Sequence, residues 1–392
     1  MRSLMVTNLP AKAKAKWAEA VACRYIPEKI RLMREFLALC PKHKGTSKLI
    51  MNVRRKIAAL EEELERSRTR RKSSGRHLFS VPKEGAGQIV ILGLTNVGRS
   101  SLLAALTNAK PEISPVPYTT RKPALGMLQY RDIQFQLVEA PALVEGSSEG
   151  RMEGPQILGL ARNADGLLLV VDLSAEPVEQ LRILISELEA AGIRIERPEG
   201  EVKIVRQPGV GVKVVGSGRL VDCTVEDVRR LLMEYKVTSA LVKIRGKVTL
   251  EMIEDELFSS SVYKPSVILA NKADVDGSDQ KVKALIEEVG GAIPVIPVSC
   301  VNGRGLEKVG EAVFRMLGII RVYSKEPSSK EPSEKPIVLE KDSKAIDVAR
   351  KLHSKLYKKF RYARIWGPSA KYPGEKVGPE HTMMDGDVIE IH

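Results

Sequence analysis

Two short stretches carry residue types whose spacing could do chemistry. The first is "GLTNVGRSS", Gly93 to Ser101, which has the G-x-x-x-x-G-K-[ST] spacing of a phosphate-binding loop, with Arg99 where that pattern has lysine. The backbone N–H groups of such a loop, here those around Gly93, Asn96, Val97, Gly98, Arg99, Ser100 and Ser101, together with a helix N-terminus, cradle phosphates. Ser100 would face Mg²⁺. The second stretch is "NKAD", Asn271 to Asp274. Asp274 can accept the N1–H and 2-amino hydrogens of guanine, a donor pair that adenine lacks. Asn271 can bridge base and loop, and the Lys272 stem can lie over the base. "PVSCVNGRGL" adds Ser299 and Cys300 near the guanine O6. Either stretch alone is a common surface turn. In this order, each after an apolar run, they define a guanine-nucleotide site.

The elements that must position these residues follow from the apolar pattern. "QIVIL" before the loop is a short buried strand, and "SSLLAALTNA" after it is a helix. "IQFQLV", "GLLLVVD", "SVILA" and "PVIPVS" are further buried strands, with helices at "VEQLRILISELEAAG", "KVKALIEEVG" and "LEKVGEAVFRML". Strands alternating with helices predict an α/β domain with a mostly parallel sheet over 85–322, its ligand at the carboxyl ends of the strands. About seventy residues interrupt the alternation, too many for a loop. Residues 193–262 therefore read as an inserted α+β subdomain, with strand-like "EVKIVRQ" and "VGVKVVGS" and a helix opening at the cap Thr224. "SKEPSSKEPSEKP" reads as a linker over 323–335, and 336–392 as a compact α+β module.

Charge is unevenly spread. Residues 1–84 hold 21 Lys and Arg against 8 Asp and Glu, while 85–326 hold 29 against 31 and 327–392 hold 13 against 10. The spacing of Ile30, Met33, Leu37 and Cys40, then of Val53, Ile57, Leu60 and Leu64, predicts a helical hairpin around "CPKHKGTSK", followed by the basic "ERSRTRRKSSGR". Residues 1–84 thus read as a basic helical arm for a polyanion such as ribosomal RNA. No apolar run approaches a membrane span, the N-terminus lacks a signal-peptide core, and the four dispersed cysteines form no C-x-x-C pair. A cytoplasmic protein with no membrane partner is expected.

These motifs resemble the Obg/DRG branch of GTPases, specifically the developmentally regulated GTP-binding (DRG) group of archaea and eukaryotes. "TNAKPEISPVPYTTRKPALGML" is similar to the branch's "YPFTT" stretch, the insertion resembles an S5D2L-type subdomain, and "DGDVIEIH" resembles the end of a β-grasp TGS domain. "KHKGTSKL" resembles part of the family's helical arm. The resemblance implies GTP and GDP binding with Mg²⁺, a GTPase activity, and association with the ribosome through the arm and the TGS domain. It also implies that Thr120 senses the metal.

Three residues depart from the family. Arg99 replaces lysine, Glu139 replaces the Asp of D-x-P-G that holds Mg²⁺ through water, and Ala142 replaces the Gly whose N–H meets the γ-phosphate. Leu143 stands where Ras-like enzymes carry a water-orienting Gln, as in the family itself, so the attacking water would be placed by an accessory protein or a monovalent cation. Asn96 stands where some GTPases hold K⁺, and a loop-stabilising amide is its other reading. Base recognition is intact and phosphate chemistry is altered. Slow or partner-dependent hydrolysis is expected, with a GTP-binding scaffold without useful turnover as the rival.

Overall fold

The computed structural model describes residues 9–23, 26–41, 46, 49–51, 53–58, 60, 81–109, 123–207, 209, 211–235, 237–258, 261–327, 329 and 331–392. They fall into two compact units. One combines residues up to 77 with 188–263, and the other combines 78–187 with 264–392.

In the first unit, α1 (Ala11–Ala22) and α2 (Ile26–Leu39) are followed by further helical residues at 49–51, 53–58 and 60. The helix α1 lies ahead of the hairpin expected from sequence. Trp17, Met33 and Phe36 are fully buried, and the Trp17 and Phe36 rings lie 5.1 Å apart. Their neighbours are not only one another. Val228, Leu231, Val242 and Val248 of the inserted region belong to the same core. The expectation of 1–84 as an arm of its own is thereby corrected: a helical hairpin has one apolar stripe to bury, and here the insertion covers it. The basic stretch 65–76 lies outside the described residues.

The nucleotide-domain sheet is built in the second unit from β1 (Gln88–Gly93), β2 (Ala124–Tyr130), β3 (Ile133–Glu139), β4 (Gly166–Asp172), β11 (Ser266–Asn271) and β12 (Val295–Pro297), in the order β12-β11-β4-β1-β3-β2. Every pairing is parallel except that of β2 with β3. All residues of β1, β4 and β11 are buried, as strands covered on both faces must be. The helices are α3 (Arg99–Leu106), α4 (Gly154–Asn163), α5 (Pro177–Ala190), α8 (Ser278–Glu288) and α9 (Leu306–Leu317).

The insertion contains β5 (Ile193–Arg194), β6 (Gly200–Arg206), β7 (Val212–Gly216), β8 (Arg219–Leu220), β9 (Ala240–Val248) and β10 (Val262–Tyr263), with α6 (Val225–Glu234) and α7 (Leu250–Phe258). Its sheet runs β6-β9-β7, with β8 also on β9. Thr224 caps α6 in a capping box with Asp227, as the sequence suggested.

The C-terminal sheet runs β14 (Ile337–Glu340), β13 (Ile319–Ser324), β17 (Asp387–Ile391), β15 (Ala363–Trp366) and β16 (Glu375–Val377), with α10 (Ala345–Leu352) and α11 (Ser354–Lys358). Its first strand starts ahead of the expected boundary at 336, and Tyr323 and Ser324 belong to it, not to a linker. The run after α9 is short and apolar, so it read as the end of the preceding domain, but Ile320 and Val322 are buried in the C-terminal core.

Candidate functional site

The phosphate loop turns from β1 into α3. Gly93 has room for no side chain: a Cβ there would lie 2.7 Å from Val97 Cγ2 and 2.9 Å from the Val170 carbonyl. Gly98 has φ +87°, and a Cβ would collide with the Asn271 amide. Asn96 is exposed at φ 61°, a left-handed conformation that asparagine tolerates. Ser100 and Ser101 follow in the first turn of α3.

Arg99 is buried. Its Nη1 donates to the carbonyls of Gly93 and of Leu94, the latter at 2.9 Å, while Nε is buried without a hydrogen-bond partner. Burial pulls its pKa down to about 10, against the pull of Glu139, so it remains a cation at neutral pH. The Gly93 carbonyl also accepts from Leu143 N at 3.1 Å, which holds the "EAPA" segment against the loop. Ala142 is buried and is not among the residues at positive φ, so the alanine brings no left-handed strain.

Glu139 ends β3 fully buried and accepts from the Ser100 hydroxyl at 2.5 Å. No group of three or more His, Cys, Asp or Glu side chains able to hold a metal occurs among the described residues. Ser100 and Glu139 nevertheless bring two hard oxygens together, the donor type that Mg²⁺ would take. Thr120, expected as a third metal ligand, lies outside the described residues, as does its neighbour Thr119.

The residues expected to read the base sit at the ends of neighbouring strands. Asn271 ends β11 and donates from Nδ2 to the Val97 carbonyl at 2.9 Å, joining the second motif to the phosphate loop. Asp274 is exposed and accepts from the buried Ser299 hydroxyl at 2.5 Å. Cys300 Sγ donates to Asn271 Oδ1 at 3.7 Å, and burial pushes its thiol up to about 11, with Asp274 adding to the rise. These contacts gather Gly93, Asn96, Val97, Gly98, Arg99, Ser100, Glu139, Ala142, Asn271, Asp274, Ser299 and Cys300 along the carboxyl ends of the parallel strands.

Sequence reasoning missed Asp172. It ends β4, in register with Asn271, and its Oδ2 lies 2.5 Å from Lys272 Nζ. Burial opposes its charge, but Lys272 and Ser174 together hold its pKa below the ordinary carboxylate value. Lys272, at φ 62°, is thereby fixed by an ion pair. The signal was available, because "GLLLVVD" closes a buried strand on a carboxylate.

A buried parallel sheet with a phosphate loop, a guanine motif and an appended β-rich module defines a P-loop GTPase with a C-terminal extension. Comparison with known proteins agrees. A family described as 50S ribosome-binding GTPase matches residues 88–205, the C-terminal region of that domain matches 209–319, and the TGS domain matches 320–392. A GTP-binding protein of Methanocaldococcus jannaschii is 34% identical over 93% of this chain and 92% of its own length. Human developmentally-regulated GTP-binding protein 2 is 28% identical over 93% of this chain and 99% of its own. Ribosome-interacting GTPase 1 of Saccharomyces cerevisiae is 27% identical over 93% and 98%. The chain belongs to the developmentally regulated GTP-binding protein family.

Proposed function

We propose that the protein binds GTP and GDP with Mg²⁺ in the cytoplasm, acts on the ribosome or its RNA, and hydrolyses GTP slowly or only with a partner. The observation that carries this reading is the hydrogen bond from Asn271 to Val97, because it makes one unit of the guanine motif and the phosphate loop. Asp274, oriented by Ser299, presents its carboxylate to guanine. Adenine would leave that carboxylate without its donor pair, which is how a polar site rejects a near-isostere.

Slow turnover rests on the altered phosphate residues. Bound Mg²⁺ supplies charge that stabilises the transferring phosphoryl group, and Ser100, Glu139 and Thr120 are the residues that would hold it. Glu139, one methylene longer than the family's aspartate, reaches the Ser100 hydroxyl directly, so metal binding competes with an existing hydrogen bond. Arg99 keeps the charge of the family's lysine but donates to two loop carbonyls. The same contacts support the rival reading, a GTP-binding scaffold without useful turnover. Asn96 is first a loop-stabilising amide and, where K⁺ assists hydrolysis, the residue that would meet it; an accessory protein or the ribosome would otherwise complete the site. The basic excess of residues 1–84 and the yeast relative's name support a ribosomal partner, with the TGS domain as a second contact.

Titration calorimetry with GTP and ATP tests the base reading, and equal affinities would sink it. Turnover measured with and without ribosomes separates GTPase from scaffold. Restoring Arg99→Lys, Glu139→Asp and Ala142→Gly together is expected to raise turnover, non-additively, because all three adjoin one loop. A wild type as fast as the triple revertant would refute the idea of an impaired site.

A further inference from the structure

The β6-β9-β7 sheet has one buried face and one open face. Val212, Ala240, Val242, Ile244 and Val248 point into the core of the first unit. Strand alternation turns Lys203, Val205, Lys213, Val215, Lys243 and Arg245 to the other side, and all six are exposed. The register places Lys203 directly opposite Lys243, with Val215 next in the same row and Lys213 beside Leu241. Like charges directly opposite one another cost a sheet stability. Glu201, opposite Arg245, is the carboxylate within this set. Lys203, Lys213, Lys243 and Arg245 make no ion pair among the described residues, whereas Lys247 at the sheet margin pairs with Glu199. Composition does not force this crowding, because residues 188–263 hold 12 Lys and Arg against 12 Asp and Glu. Four of those twelve cations nevertheless share this one face.

We propose that this open face is a docking surface for the phosphodiester backbone of double-stranded RNA. The proposal rests on the ribosome-associated reading above and adds to it a charged contact on the inserted sheet. Three of the four cations are lysines, compact point charges that phosphate oxygens accept without a fixed geometry. The face offers Val205 and Val215 but no aromatic ring, so it has no platform on which unpaired bases could stack. Backbone contact with a duplex, read by shape and charge, is what remains.

The test uses the full chain with Lys203→Gln, Lys213→Gln and Lys243→Gln combined, beside a version with arginine at the same three positions. Binding to a fluorescein-labelled RNA duplex is read by anisotropy across a salt series. A single strand of the same sequence and poly-glutamate serve as competitors. GTP binding and thermal melting check that each variant is folded, which the loss of opposed like charges favours. The glutamine variant is expected to lose at least about tenfold in duplex affinity at moderate salt, and its salt slope should become shallower by about one per lysine removed. The arginine variant should keep both. If the wild type binds the duplex and the glutamine variant matches it in affinity and slope, the sheet proposal is overturned while the RNA reading stands. If the wild type binds neither duplex nor ribosomes, both are overturned. Competition by poly-glutamate as strong as by the duplex, or a preference for the single strand, also overturns the proposal.

Discussion

Arg321 joins the C-terminal module to the nucleotide domain, and replacing it with methionine should loosen that junction measurably. The guanidinium is 9% exposed; Nε and Nη2 donate to Asp385 at 3.0 and 2.8 Å, and Nη1 donates to Asp132 at 2.5 Å. Asp132 sits at the turn between β2 and β3 and also accepts from the Tyr323 hydroxyl. Methionine keeps much of the packing against Phe314 but strands two carboxylates. Breaking a buried pair costs about 3–5 kcal/mol. Asp132 and Asp385 are 27% and 30% exposed, so partial hydration reduces the expected loss to about 2–3 kcal/mol. That corresponds to a urea midpoint lower by on the order of 1 M. Trp366 lies in β15 and Trp17 in the other unit, and the chain has 2 tryptophans, so in a Trp17→Phe background fluorescence reports the C-terminal sheet alone. Burial opposes the charge on both aspartates, yet Arg321, helped at Asp132 by Tyr323, leaves their pKa values below the ordinary range. A depressed carboxylate contributes stability above its unfolded pKa, about 3.9, and loses it as pH falls through the folded value. The difference between wild type and Arg321→Met should therefore be full at neutral pH and shrink below about pH 4. Adding Asp132→Asn and Asp385→Asn to Arg321→Met should recover part of the loss. A midpoint shift under about 0.3 M, or no recovery on neutralising the aspartates, would refute the reasoning.

Asp274→Asn should weaken GTP and GDP alike by about 1–3 kcal/mol, the range for stranding a buried hydrogen-bonding group, as read by calorimetry. Gly98→Ala should cost more than that, because it forces φ +87° on alanine and drives a methyl into the Asn271 amide; nucleotide affinity near wild type would contradict the loop geometry. Deleting residues 1–84 should unfold the first unit, since Trp17, Met33 and Phe36 leave the core shared with the insertion. An early, separate melting transition in calorimetry is the expected sign, and an unaltered melting profile would argue against the shared core.

The candidate site was legible because its chemistry is local in sequence. Gly93 to Ser101 and Asn271 to Asp274 each occupy one strand-to-turn step, so spacing alone picks them out, and the buried strands before them place both at the carboxyl ends of one sheet. Asp172 escaped notice because its role depends on a neighbouring strand: nothing in "GLLLVVD" says that Lys272, just past the end of β11, reaches it. The same limit explains the misplaced boundaries. The stripe of α2 reads correctly as buried, but periodicity states only that something covers it, and the partner, the insertion, begins about 150 residues downstream. Likewise Ile319 to Ser324 reads as apolar without saying which of two sheets takes it. What sequence could foresee least is the open face of the insertion. Lys203 and Lys243 are unremarkable in their own strands, and their opposition exists only through the antiparallel register. A cost in stability becomes visible only once pairing is known. The site that sequence names first is therefore the nucleotide pocket, while a surface assembled from register alone emerges only from the fold.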